Sequence, residues 1–309
     1  MRRTLLALVS ASLLAITMVV PTTAITGSYV EDFEHPFVGL IAFYSDRRGT
    51  DRAFQHRCSG SLVDDGTPAD GSRVFVTAGH CTDNGAGGVN VSARIWFRQD
   101  AGARFNGTTV TRDPLTGYPD RCINDPNFND ADEVCVTAHE MYNFGFNNFA
   151  GFPNTRDVGV VILDEPVKLK EYATIAPAGT IDTIQSRKGN TTFTVSGYGV
   201  SDGHAASDPV QSFRERLMAT STLVNTESSW NDGFNVQTQS NGGDRGGTCS
   251  GDSGGPVFYP ANSNQIVAVT SFGKSNPNEG CIGTDYAYRT DRQEVIDWID
   301  EVSGDWWNQ

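Results

Sequence analysis

The chain has 309 residues, 38% of them hydrophobic and 19% charged, with a formal net charge of −14. This length and composition support one large or two smaller hydrophobic cores and exclude a disordered chain. The acidic balance excludes a surface built to hold nucleic acid or an anionic membrane, because either would be repelled.

Met1-Arg2-Arg3, the apolar run from Leu5 to Val20 and the small residues Thr22-Thr23-Ala24 have the charge, length and cleavage chemistry of a secretory signal. Residues 1–24 are expected to be removed by a cut after Ala24. A run this short, ended by Pro21, spans a bilayer poorly, and no later segment reads as transmembrane. The mature chain is therefore expected to be secreted and free of the membrane. Loss of Arg2 and Arg3 takes the net charge from −14 to about −16.

From Ile25 onward, short β-branched and aromatic runs alternate with turn-rich stretches. Strands are predicted over Val38–Tyr44, Arg73–Thr77, Val91–Phe97, Val158–Leu163, Thr191–Val195 and Ile266–Phe272. With 33 glycines and 13 prolines as punctuation, the pattern reads as an all-β sandwich or barrel. One helix stands out, from about Asp291 to Val302, with Val295, Ile296, Trp298, Ile299 and Val302 on one face and Asp291 placed to cap it. Residues 97–155, rich in Asn, Asp, Gly and Pro, read as long surface loops. Pro166, Pro177 and Gly179 mark a boundary near residues 169–183, and each half has the size of a small barrel. Trp306 and Trp307 in the tail are expected to pack locally.

Cys58, Cys81, Cys122, Cys135, Cys249 and Cys281 are an even set in an exported chain, where disulfides persist; the sequence alone allows 15 pairings. They form no Cys-x-x-Cys pair, so no zinc site is expected, and no ligand pattern supports calcium in the acidic loops. Neither a metal nor a cofactor is expected. Asn90, Asn106 and Asn190 each begin an Asn-x-Ser/Thr acceptor.

Three short segments carry chemistry. A serine hydroxyl is a poor nucleophile until a base takes its proton, a third group orients that base, and donors meet the developing oxyanion. Gly251-Asp252-Ser253-Gly254-Gly255-Pro256 places glycines on both sides of Ser253, which leaves backbone N–H groups unobstructed. In Val76-Thr77-Ala78-Gly79-His80-Cys81, a strand ends by presenting an imidazole beside a cysteine. In Arg156-Asp157-Val158-Gly159-Val160-Val161, an acid stands at the mouth of a strand. Taken singly, these are a Ser-Gly turn, a surface histidine and a strand-capping aspartate.

Together and in this order, the three closely resemble the trypsin and chymotrypsin family of serine proteases. The family fingerprints Thr-Ala-Ala-His-Cys, Asp-Ile-Ala-Leu-Leu and Gly-Asp-Ser-Gly-Gly-Pro stand here as Thr77 to Cys81, Asp157 to Val161 and Gly251 to Pro256. The resemblance implies two packed six-stranded antiparallel β-barrels and a C-terminal α-helix. One peptidase domain would cover 25–309, with its N-terminal barrel over about 25–170 and its C-terminal barrel and helix over about 171–309. It implies a serine endopeptidase with Ser253 as nucleophile, His80 as base, Asp157 as orienting acid, and oxyanion donors on Gly251 and Ser253. Protein or peptide substrates, with no nucleic acid and no membrane, and a monomeric state complete the expectation.

Other implications follow from the same resemblance. Ile25-Thr26-Gly27-Ser28 is similar to the start of active family members, whose freed ammonium pairs with the acid beside the nucleophile, here Asp252. Cys58 would pair with Cys81 and Cys249 with Cys281, leaving Cys122 with Cys135. His139 falls in a segment similar to the family's His-Pro-x-Tyr, a structural position, whereas His35, His56 and His204 stand in no catalytic context. Gly247 would floor the primary specificity pocket, Ser271 would lie where the backbone pairs with substrate, and Gly273 would keep the mouth open. That combination implies an apolar or aromatic preference. Asp285 offers the alternative, a carboxylate that recognises Arg or Lys, and a small or broad preference is the remaining option. The rival functions are an inactive binding module that keeps the fold and an esterase; the shortage of helical periodicity argues against the strand-to-helix elbow of the latter.

Overall fold

The computed structural model describes residues 25–49, 53–66, 70–101, 135–184, 191–201, 215–239, 245–275, 281 and 283–304. The expected signal segment, Asn106, Cys122, Asn190, His204, Trp306 and Trp307 lie outside the described residues. Two short strands come first, β1 (Thr26–Gly27) and β2 (Tyr29–Glu31). They are followed by β3 (Val38–Tyr44), β4 (Phe54–Leu62), β5 (Ser72–Thr77), the single-turn helix α1 (Gly79–Thr82), β6 (Ser92–Trp96), β7 (Cys135–Asn143) and β8 (Gly159–Val167). The second half holds β9 (Thr174–Ile175), β10 (Thr192–Gly197), β11 (Leu217–Asn225), β12 (Asn235–Gln239), β13 (Gly246–Gly247), β14 (Pro256–Phe258), β15 (Gln265–Ser275), β16 (Gly283–Arg289) and helix α2 (Gln293–Ser303).

Strands β3-β4-β5-β8-β7-β6 close one antiparallel barrel. Strands β10-β14-β15-β16-β12-β11 form the other, closed by the β10–β11 pairing. Closure leaves no unpaired edge in either ring, which is how all-β chains of this size satisfy their backbone groups. Every residue of β3 is buried, so its continuous apolar run belongs to a strand covered on both faces.

The two barrels exchange elements. Strand β2 pairs with β11 and β1 with β13, so the N-terminal segment lies on the second barrel. In return, α2 inserts Val295 and Ile299 into the core shared with the first barrel, and Trp298 packs 5.1 Å from Phe144. A buried polar knot joins the halves: Arg216 donates to the carbonyls of Asp32 (3.1 Å), Val38 (3.0 Å) and Phe97 (2.9 Å). Among the described residues no helix is long and apolar enough to cross a membrane.

Three expectations are corrected. The stretch 97–155 contains β7, which escapes an alternation test because a bulge between Ala138 and Glu140 shifts its register against β8. Asp291 does not cap α2, whose N-cap is Arg292 with no side-chain hydrogen bond. Its buried carboxylate instead takes Arg289 Nε and Nη2 at 2.8 and 3.0 Å and the Ile181 N–H at 2.7 Å. Asn90 is no exposed glycan acceptor; it is buried, and its amide donates to the carbonyls of Cys81, Thr82 and Asp83.

Candidate active site

His80 sits in α1, the turn that follows β5, with the Cys58–Cys81 disulfide beside it. Both of these sulfurs are committed to each other, so their closeness to the imidazole makes no metal site. The backbone N–H of His80 donates to Asp157 Oδ1 at 2.7 Å, and its Nδ1 meets Oδ2 at 2.8 Å. Asp157 is fully buried just ahead of β8. Burial by itself would lower the His80 pKa, but the Asp157 charge and hydrogen bond outweigh it and hold the imidazole above the ordinary histidine value of 6.5. The Ser271 hydroxyl also donates to Asp157 Oδ2. The sequence placed Ser271 by its backbone; the hydrogen bond from its side chain is what that reading missed.

The loop carrying Ser253 comes from the second barrel and presses against the first. A Cβ at Gly254, where φ is +78°, would stand 2.1 Å from Thr77 Oγ1 and 2.6 Å from the Ala78 nitrogen, so only glycine fits there. All four carbonyls of residues 250–253 are tied down. Ser250 accepts from the Val200 N–H (2.8 Å), Gly251 from the Ser59 hydroxyl (2.9 Å), Asp252 from the Gly255 N–H (2.8 Å) and Ser253 from the Ser59 N–H (2.8 Å). Among the described residues, no acceptor takes the N–H groups of Gly251 and Ser253.

Two cavities share Ser271 in their walls. One, of about 840 Å³, contains His80, His56, Asp83, Phe146 and Phe149 in its wall. The other, of about 240 Å³, is lined by Ser253, the Cys249–Cys281 disulfide, Phe272, Gly273 and Asp285. Gly247 pairs with Thr26 of β1, and the next residue, Thr248, lines the cavity. Asp285 also lines it, buried, accepting the Thr248 N–H at 2.9 Å, and burial pushes its carboxyl up to about 7. Gly273 lines the same cavity, where an added Cβ would stand in ordinary contact with Asp285 Oδ1 at 3.7 Å.

Asp252, also buried, accepts N–H bonds from Gly199 (2.7 Å) and Cys249 (2.8 Å), yet burial still pushes its carboxyl up to about 7. Ile25 is buried in the core of the second barrel. In the full chain its nitrogen is an amide, so no ammonium stands near Asp252. The remaining described histidines have other partners. His35 is sealed between Asp32 and the Phe258 ring, His56 meets the Cys81 carbonyl at 2.8 Å, and His139 bridges Asp164 and the Arg47 carbonyl.

Two closed barrels with a histidine–aspartate pair and a glycine-flanked serine at their junction define the chymotrypsin-like double-barrel class. The solved structures agree. HL collagenase superposes with a TM-score of 0.58 at 17% identity, covering 91% of this chain and 99% of its own. A protease from Arthrobacter nicotinovorans, Anisep, gives 0.54 at 16% identity over 89% and 98%. Human heparin binding protein gives 0.55 at 18% over 88% and 94%. No curated protein matches by sequence. The Trypsin family model matches residues 25–299, and the chain belongs to the trypsin family.

Proposed function

We propose that the protein is a secreted serine endopeptidase that hydrolyses peptide bonds through an acyl-enzyme. The observation that carries the reading is the double hydrogen bond from His80 to a fully buried Asp157. Both bonds fix the imidazole so that Nε2 is left for substrate chemistry. In the proposed reaction, Ser253 Oγ attacks the scissile carbonyl carbon as His80 Nε2 takes its proton. The carbonyl oxygen becomes an oxyanion facing the unclaimed N–H groups of Gly251 and Ser253. His80 then protonates the leaving amine as the C–N bond breaks, and water repeats the cycle against the ester. These roles follow the Ser-His-Asp template.

The residue ahead of the scissile bond would enter the cavity shared by Ser253 and Asp285, whose carboxylate favours Arg or Lys. Cleavage before Ile25 would free an ammonium for Asp252, a pair that is stabilising only when both partners are present.

The fold is also that of a heparin binding protein, so it leaves a purely binding role open. A polyanion ligand is disfavoured by the net charge of −14. The test is hydrolysis of a peptide library by the chain starting at Ile25, beside Ser253→Ala. Cleavage by the parent alone is expected. Equal cleavage by the variant, or labelling of neither protein by a serine-directed phosphonate, would overturn the reading.

A further inference from the structure

Ser59 lies in β4 of the first barrel, fully buried, yet its polar atoms serve the loop of the second. Its hydroxyl donates to the Gly251 carbonyl and accepts the Tyr198 N–H, both at 2.9 Å. Its N–H holds the Ser253 carbonyl at 2.8 Å, and its carbonyl accepts from Thr77 Oγ1 at 2.7 Å. Ser59 thus joins the His80-bearing strand end, the residue after β10 and the two carbonyls that flank Asp252, its hydroxyl serving Gly251 and Tyr198 and its backbone Ser253 and Thr77. The geometry points to Ser59 as a positioning residue that fixes the Gly251 N–H toward the reacting carbonyl by gripping the Gly251 carbonyl from the opposite barrel.

Gly251, at φ +97°, has no side chain to resist turning about its own bonds. The peptide ahead of it is held by the bond from the Val200 N–H to the Ser250 carbonyl, and the peptide behind it is held at both ends, the Asp252 N–H by the Cys249 carbonyl at 3.0 Å and the Gly251 carbonyl by Ser59 Oγ. Releasing the Ser59 grip leaves the Gly251–Asp252 peptide on the Cys249 bond alone, so Gly251 can swing about its own bonds and the alignment of its N–H is loosened. A donor that must be reoriented at the moment of reaction loses most of its value, because its worth lies in being aligned beforehand. Ser59 touches no substrate in this arrangement and acts entirely through Gly251.

The inference rests on the proposed peptidase reading, and the experiment separates the two. The protein starting at Ile25 is compared with Ser59→Ala and Ser59→Cys, using a cleavable peptide, a peptide aldehyde of the same sequence and the product acid. Aldehydes add Ser253 Oγ to give an oxyanion, whereas the product only occupies the cleft. For Ser59→Ala, kcat is expected to fall roughly 10- to 100-fold, less than or equal to the loss of a whole oxyanion donor. Aldehyde affinity is expected to fall by a similar factor, with KM, product affinity and the acid limb of the pH profile unchanged. Ser59→Cys, which keeps a weak donor in nearly the same volume, is expected to lie between the two and serves if the alanine variant does not fold. Unchanged kcat in a folded variant, or parallel loss of kcat and product affinity, would overturn the role of Ser59. No cleavage by the parent would instead overturn the peptidase reading.

Discussion

Ser271 donates its hydroxyl to Asp157 Oδ2, the same carboxylate oxygen that meets His80 Nδ1. The buried acid is thereby shared between a neutral donor from β15 and the imidazole. Removing the neutral donor with Ser271→Ala leaves more of the carboxylate charge to His80. The imidazole pKa should rise further, shifting the acid limb of kcat/KM to higher pH. Maximal kcat/KM should fall by about tenfold, the size of one hydrogen bond to a charged group. A pH–rate profile of the variant identical to that of the parent would show that Ser271 does not act through Asp157.

In the proposed reaction His80 must be neutral to act as base, and Asp157 holds its pKa above 6.5. Activity of the parent should therefore climb with pH along a limb whose midpoint lies above the ordinary histidine value. Asp157→Asn removes the charge that raises this pKa and the acceptor that sets the tautomer. The limb should move to lower pH while kcat collapses; in the Ser-His-Asp template the corresponding change costs about 10⁴. A variant retaining more than a tenth of parental kcat would show that Asp157 has another role.

Much of the barrel architecture was legible because apolar runs such as Val38–Tyr44 and Val158–Leu163 coincide with strands buried in the first barrel. Strands β4, β11 and β12 were not, since they bury hydroxyls and amides such as Ser59, Ser61, Thr222 and Asn235 that a hydrophobic count scores as surface. The His80, Asp157 and Ser253 segments were legible as motifs because each holds small or glycine residues that local geometry demands. What the chain order could not reveal is which long-range partner each polar side chain finds. Ser59 and Gly251 are 192 residues apart, and Asp291 reads as a helix cap until Arg289 and Ile181 are seen around it. Gly247 and Asp285 illustrate the same limit. Spacing from Ser253 nominated the first and the resemblance offered the second as an alternative, and the pairing of Gly273 with Asp285 between β15 and β16 accounts for Asp285 lining the cavity.

Asp252 offers a test of the proposed N-terminal pair. Burial raises its carboxyl to about 7, two backbone N–H bonds pull it back only in part, and Asp285 adds a further upward push. A carboxyl that holds its proton more tightly when folded costs stability as pH rises from about 4 to 7. A free Ile25 ammonium would reverse this by favouring the ionised acid. Two chains, one starting at Ile25 and one at Thr22, should therefore melt at similar temperatures near pH 5. By pH 8 the Ile25 chain should be more stable by up to a few kcal/mol. A difference that does not grow with pH would argue that Ile25 and Asp252 do not pair.

Asp285 decides the proposed preference at the cleavage point. Its carboxyl, raised to about 7 by burial, is largely neutral in mildly acidic solution and ionised above neutrality. A neutral carboxyl in a cavity walled by Phe272 and a disulfide accepts apolar or aromatic side chains, whereas the ionised form pairs with guanidinium or ammonium. A bound cation would pull the pKa back down, so the effect belongs to the free enzyme and is read in kcat/KM. The ratio of kcat/KM for an Arg substrate over its Phe counterpart should rise between pH 6 and pH 8.5. In Asp285→Ser the ratio should be flat and at least tenfold lower at pH 8.5, about one charged hydrogen bond. A parent that prefers Phe at both pH values would show that Asp285 is satisfied by Thr248 alone and leaves the cavity apolar.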